Sequence, residues 1–338
     1  MGHTGAYPGC APTGRAWDPA LCWGVLAGLF LLVACPAERP IDTADTGKRD
    51  VGELDAATVA LRGECDMAYD FGGFEVVAVT GTTEVAGAVA NGVVPERVLE
   101  VTASEGDCRV LRRNNPYCEP ACEPGYACDF EGACIEYPAN QDLGTVTVGG
   151  LLQAVTMTAT FPGNTYFDTT LPHPAFEAGE VVYLDMPGGS YGPATFFGVG
   201  VEPLDEAPEW SIDPDADLVV AWTAPVSAVV RSTVVAEVSI DQHGITPSVL
   251  RCEFADDGEG TVPRALLWSL VGAGVTGFPA GSLSRRTADA LGAGEGCMDF
   301  VVSWTASATV SVLGHTPCVS TDDCPAGEVC NLELQTCG

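Results

Sequence analysis

The chain has 338 residues and carries 46 acidic against 14 basic side chains, a formal net charge of −32, with Lys48 its only lysine. Affinity for nucleic acid comes largely from neutralising phosphates with Lys and Arg, so a chain this acidic, without a basic stripe, is excluded as a nucleic-acid binder. Anionic lipid headgroups repel it for the same reason, and the acidity reads as the solubility charge of an exposed surface protein.

An apolar run from Leu21 ends in Leu32-Val33-Ala34-Cys35. It is shorter than the about 20 residues that cross a bilayer, and its small-residue end is a secretory signal pattern. Leu-x-Ala-Cys at that position reads as a lipobox. Residues 1–34 are then a removed signal peptide, and Cys35 is the lipid attachment site and first mature residue. Before the apolar core, Arg15 is offset by Asp18, which leaves the translation start open. Pro36 stands where an aspartate marks inner-membrane retention, and by resemblance to bacterial lipoproteins this favours the outer membrane. Residues 35–56 are Pro-, Asp- and Thr-containing without apolar periodicity and read as a flexible tether. The membrane contact is expected through the acyl chains alone.

Residues 57–115 hold short β-like runs at 74–80, 83–89 and 97–102 separated by Gly-containing turns, the pattern of a meander. Cys65 and Cys108 bracket these runs and are read as stapling their ends. Residues 116–138 form a dense unit with Cys118, Cys122, Cys128 and Cys134, and residues 315–338 form a second with Cys318, Cys324, Cys330 and Cys337. Both carry a Pro/Gly turn between the second and third cysteines and read as an internal repeat. Units of about 20 residues bury too little core to fold unaided, so cross-links supply the rigidity. The spacings lack the close Cys-x2-Cys knuckles of zinc sites, which favours disulfides over metal. Four cysteines allow three pairings, and spacing does not choose among them.

Residues 139–314 read as an antiparallel β-sandwich, with strands at 144–149, 154–159, 181–185, 218–223, 228–231, 234–240, 249–254, 298–304 and 309–313. One helix is expected at 263–270, with Pro263 at its first turn. Trp222 and Trp304, each mid-strand, are expected in the core. Cys252 and Cys297 are left to pair with each other. Of the fifteen cysteines, Cys10, Cys22 and Cys35 fall in the signal and lipobox. The remaining twelve are an even set, as an exported disulfide framework requires. The expected fold class is therefore mainly β: an antiparallel sandwich, a smaller N-terminal β region and two small disulfide-rich units.

The chemistry-bearing motifs are weak. Gly188-Gly-Ser190-Tyr-Gly192 has the letters of a nucleophile elbow but lacks the strand-to-helix context that gives that pattern meaning, and a hairpin turn explains its glycines. Gly272-Ala-Gly274-Val-Thr-Gly277 follows a helix instead of a strand, so a phosphate cradle does not form as in dinucleotide sites. Asp213-Pro-Asp215-Ala-Asp217 opens like a calcium loop, yet Leu218 and Ala224 occupy the positions that need Gly and Glu. After His3 the histidines are His173, His243 and His315, and none has metal-ligand spacing. No catalytic residue, cofactor or metal is assigned.

The order of features is similar to that of the cysteine-containing surface lipoproteins of myxobacteria and related deltaproteobacteria. The residues that carry the likeness are Cys118 to Cys134 leading through Tyr137-Pro into Gly144-Thr-Val-Thr-Val-Gly-Gly-Leu151, then Asp241-Gln-His-Gly, Arg251-Cys252, the stretch 258–270, Arg285-Arg-Thr-Ala-Asp289 and Thr316-Pro-Cys318. This resemblance implies location and modular order, and no activity. The expected function is a non-catalytic binding or scaffolding role at the cell envelope, with an extracellular glycan or envelope protein as partner. A carbohydrate-binding or polysaccharide-acting module is the alternative. That alternative requires Tyr166, Phe167, Tyr183, Tyr191, Phe196 and Phe197 to line one solvent face.

Overall fold

A computed structural model describes residues 54–113, 117–204, 208–227, 231–240, 248–272 and 274–338. Cys35, tether residues 36–53 and His243 lie outside the described residues, as do 228–230 of one expected strand, whereas Leu54 and Ala56, at the end of the expected tether, pack on the folded body.

The strands in chain order are β1 Asp70–Val79, β2 Thr82–Val89, β3 Leu99–Glu105, β4 Cys108–Arg113, β5 Tyr126–Cys128, β6 Cys134–Glu136, β7 Val146–Gly149, β8 Val155–Met157, β9 Tyr166–Asp168 and β10 Val181–Met186. They continue with β11 Ala194–Val199, β12 Glu209–Ile212, β13 Leu218–Ala221, β14 Thr233–Ser239, β15 Ser248–Ala255, β16 Glu259–Val262, β17 Ala280–Ala293, β18 Gly296–Val312, β19 Cys330–Asn331 and β20 Thr336–Cys337. Helix α1 spans Arg264–Gly272. Pro263 stands just before its first residue, and Asp217 Oδ1 accepts the Arg264 N–H at 2.7 Å, satisfying one of the free donors of the first turn.

The fold is mainly β, with one large mixed sheet in the order β3-β4-β15-β14-β17-β18-β1-β2-β9 and β12 paired to β18. β18 is the hinge of this arrangement. One edge runs antiparallel to β17 along its whole length, while the other takes β1 in parallel near Cys297 and β12 in parallel near Val310. The two strands expected at 298–304 and 309–313 are therefore one strand, because Thr305-Ala-Ser-Ala308 is short-chained but still paired with β17. The N-terminal β region is made of two hairpins that lie at opposite ends of this sheet, β1-β2 on one side and β3-β4 on the other.

Two apolar cores share the β17–β18 hairpin. In the first, Phe74, Val76, Phe300 and Val302 face Val148, Leu184 and Phe196 of a second sheet, β11-β10-β7-β8, making the sandwich. In the second, Val234, Leu250 and Leu283 pack with Val220, Val262 and the α1 residues Leu266, Leu267 and Leu270. Trp304 touches both cores, and Trp222 packs beside Phe254 at 5.9 Å between ring centres.

The described cysteines form six disulfides. Two pairings differ from those expected: Cys65 joins Cys297, and Cys108 joins Cys252. Register is the cause. β4 lies against β15 with Cys108 directly opposite Cys252, and β1 lies against β18 with Asp70 opposite Cys297, which brings Cys65 alongside. Both four-cysteine units pair first with third and second with fourth, in Cys118–Cys128, Cys122–Cys134, Cys318–Cys330 and Cys324–Cys337.

Arg285 lies between the two cores with 1% of its surface exposed. Its Nε and Nη2 donate to Asp256 at 2.7 and 3.0 Å, its Nη1 donates to the carbonyls of Glu202 and Pro203 at 3.1 and 3.0 Å, and Nη2 also donates to the Thr223 carbonyl. Asp256 in turn accepts from Trp222 Nε1 at 2.8 Å and from the Ser232 hydroxyl. All five guanidinium donors are thus used, which offsets the cost of burying the charge. Lys has neither the fork nor the donors. Arg285→Lys is expected to cost about 3–5 kcal/mol, because Asp256 and three carbonyls lose buried partners. Urea unfolding checks this, and a loss below about 1 kcal/mol refutes it.

Candidate functional site

The outer face of β18-β1-β2-β9 carries a groove of about 770 Å³, within the size range of ligand sites. Strand register builds it. Asp299, Gly73 and Ala88 lie abreast in one row, and Val301, Glu75, Ala86 and Phe167 in the next. Alternation along each strand sends these side chains outward while Phe74, Val76, Phe300 and Val302 point into the core. The floor is Gly and Ala, so the taller Phe167, Glu75 and Asp299 become its walls, with Arg97 and Thr160 also bordering it. Gly73 is required here: a Cβ at this position falls 2.0 Å from the Asp299 carbonyl oxygen and 2.3 Å from its Oδ1.

Both carboxyls of the groove hold their protons more tightly than usual. Asp299 is pushed up to about 7, first by burial and then by the neighbouring charges of Asp70 and Glu64, against the Cys65 N–H and Arg286. Glu75 stays exposed, but the groove walls desolvate its carboxyl enough to raise it, and Glu84 adds to the effect. A neutral carboxyl donates a hydrogen bond and an ionised one accepts several, so the groove suits polar ligand groups of both kinds.

Beside Asp299 the segment that leads out of the tether crosses the sheet. Leu54, Ala56, Val59 and Leu61 pack on Val181, Phe197 and Val199, and Arg231 donates to the carbonyls of Ala56 and Val59. The Gly63 N–H bonds the Ala288 carbonyl at 3.2 Å, and Arg62 pairs with the fully buried Asp289 at 2.7 Å. Glu64 bridges Arg251 at 2.8 Å and also contacts Arg286, and these arginines reach Glu237 and Glu253. Cys65 then closes on Cys297.

Of the residues singled out from the sequence, Tyr166 and Phe167 border the groove and the others fall elsewhere. Ser190 sits in the short turn Gly189–Tyr191 that joins β10 to β11. His173 Nδ1 bonds the Thr83 hydroxyl at 3.0 Å and His315 Nε2 bonds the Gly277 carbonyl at 2.7 Å, so each is engaged away from Ser190. The Gly272–Gly277 stretch ends α1, where the Gly274 N–H returns to the Val271 carbonyl at 3.0 Å. Asp213 accepts its own turn's Asp215 N–H at 2.9 Å, and Asp217 caps α1. Cys65, Asp70 and Asp299 lie close enough to share an ion, but this sulfur, like those of the two cysteine clusters, is held in a disulfide. The six aromatics do not line one solvent face: Tyr166 and Phe196 are buried, Tyr183, Tyr191 and Phe197 are half-buried, and Phe167 is exposed. The sugar-binding stripe that the alternative function requires is absent, because strand alternation turns successive rings to opposite faces.

Glu75 and Asp299 were not among the residues picked out in the sequence. The available signal was a carboxylate at an outward position within an apolar β run, in Phe74-Glu-Val-Val and in Met298-Asp-Phe-Val-Val. What joins them is the parallel pairing of β1 with β18, which no local pattern reveals.

Among the described residues no helix is long and apolar enough to cross a membrane, which says nothing of crossing by strands. No family model and no curated protein matches the chain. Among solved structures, the FN1–FN3 domains of chicken CNTN1 align at 7% identity over 63% of this chain and 66% of that one, with a TM-score of 0.18. A bacterial ice-binding adhesin of 1.5 MDa aligns at 10% identity, 73% and 67% coverage and a TM-score of 0.19. A Ca2+-stabilised adhesin of an Antarctic bacterium aligns at 13%, 74% and 51%, with a TM-score of 0.18. The chain thus spans about two thirds of the first two and about half of the third. Likeness at this level carries no argument about what the chain does.

The folded state keeps the Asp299 proton to about pH 7, whereas an unfolded aspartate loses it near pH 4. The native state therefore binds more protons across that window, and stability falls as pH rises through it. Asp299→Asn is expected to flatten this slope and to be more stable than the native chain at pH 8 by about 2–4 kcal/mol, with a smaller gain at pH 5. Urea unfolding at both pH values checks it, and equal differences at the two refute it.

Proposed function

We propose that this chain is an exported lipoprotein, held on the bacterial outer membrane by an acylated Cys35, whose disulfide-stapled β body binds or scaffolds a partner without catalysing a reaction. The supporting observation is how the chain passes from tether to body. Within residues 54–65 it makes an apolar contact, three arginine–carboxylate links and a disulfide, all onto the large sheet and its neighbour. A body cross-linked close to the N-terminal end of its described residues suits a protein held by its N-terminus in an oxidising compartment, since tension passed along the chain reaches β18 through the Cys65–Cys297 disulfide. The outer-face groove serves as the ligand-facing surface, with Glu75, Asp299 and Phe167 as its polar and aromatic contacts.

Mass spectrometry of the mature N-terminus is expected to find diacylglyceryl Cys35, and Cys35→Ser is expected to release the protein from the membrane fraction. An unmodified N-terminus at another residue overturns the anchor. A soluble protein from residue 54 onward is expected to keep the native disulfides and the pH-dependent stability of Asp299.

A further inference from the structure

We propose that the two four-cysteine units are a matched pair of contact knobs, set at opposite ends of the β17–β18 hairpin, that grip one cationic, apolar-bearing polypeptide partner bivalently. The equivalence runs deeper than the shared pairing. Counting from the third cysteine of each unit, Gly125 and Gly327 both precede it by three and both take positive φ, +93° and +99°. One residue after it, Asp129 Oδ1 accepts the Glu131 and Ala133 N–H groups at 3.0 and 2.7 Å, and Asn331 Oδ1 accepts those of Glu333 and Leu334 at 3.0 and 3.2 Å. That Asx turn places Phe130 and Leu332 at the same point of each hairpin tip, 47% and 68% exposed. A scattered exposed apolar residue needs no explanation. Two at the same position of two separately cross-linked units are a repeated feature, because the turn itself is held by the Asx side chain and not by the residue after it.

The surroundings select the partner. The first unit carries Glu119, Glu123, Asp129, Glu131 and Glu136 and the second Asp322, Asp323, Glu328 and Glu333, and neither has a Lys or Arg. An apolar tip ringed by carboxylates is complementary to lysine- or arginine-rich protein with apolar side chains between the charges. The placement sets the spacing. The first unit leads directly into Ala139 and Asn140, which bond Asn91 and pair with Ala90 at the Cys297 end of β18. The second follows Val312 and docks through the Leu334 carbonyl on Gly277 at the other end. The strand between them spans about 50 Å at about 3.3 Å per residue, so a partner chain or layer that reaches both tips binds with a second, intramolecular contact.

This inference rests on the binding reading above but not on the lipid anchor, so its test is independent of Cys35. The probe is an immobilised peptide of alternating Lys and Leu, presented densely or sparsely to the soluble mature protein. On the dense layer Phe130→Ser and Leu332→Ser are each expected to weaken binding about 100-fold, and on the sparse layer about twofold. Binding is expected to fall with added salt, to vanish in the double variant, and to be absent on a Glu–Leu peptide. Phe161→Ser, a more exposed apolar residue at 88%, is the control expected to bind as the native protein does. The proposal is overturned if single tip variants match the native protein on the dense layer, if Phe161→Ser loses as much as they do, or if the Glu–Leu peptide binds equally. Six disulfides counted by mass and an unchanged near-ultraviolet spectrum show that each variant is folded.

Discussion

The pairing of Ala280–Ala293 with Gly296–Thr309 is the constraint on which the other elements depend. A two-stranded ribbon this long has no stability of its own in water, so it exists because each half is buried by a different set of partners. The half near Cys297 is covered by the second sheet and the half near Val310 by α1 and the β13–β16 pair. Neither core closes without the hairpin, and the hairpin does not stay extended without both cores.

Charge is built into this spine at a cost that is met locally. Arg285 and Asp289 on β17 are both fully buried, four residues apart, and each is answered from outside its own strand. Arg285 draws in Asp256 and three carbonyls, tying three loops to the junction between the cores. Asp289 takes the N–H of Phe197 and the Arg62 guanidinium, tying the second sheet and the N-terminal segment to the same strand. Buried ions contribute little net stability once desolvation is counted, but leaving either unpartnered is expensive. They therefore specify one arrangement of loops around the hairpin more than they strengthen it.

The same logic separates the surfaces. The inner faces are committed to packing, whereas the outer face of the large sheet carries the Glu64 arginine–carboxylate network and the groove, and the incoming segment packs on Val181, Phe197 and Val199 of the second sheet. Asp299 belongs to both neighbours: it is a wall of the groove, and its proton is held first by burial and then by the charges of Asp70 and Glu64. The disulfide units lie outside both cores and hold their shape by cross-links and turn hydrogen bonds.

Local pattern was enough to establish the mainly β class, the helix after Pro263, the turn role of Gly188–Gly192, the repeat of the cysteine units and the evenness of the cysteine set, since these depend on neighbours within a few residues. It missed β17 as a strand, because Arg285, Arg286 and Asp289 break the apolar alternation by which strands are recognised. It paired Cys65 with Cys108 and Cys252 with Cys297 because nearness in sequence was the available guide. The tertiary structure alone decided those partners, the meeting of Glu75 with Asp299 and the burial of the aromatic side chains. All of these follow from which strands lie side by side across separations of more than 100 residues, as in Cys65–Cys297 at 232 and Cys108–Cys252 at 144. Such pairing is fixed by the mutual burial of two cores on one hairpin, a condition on the whole chain that no local segment carries.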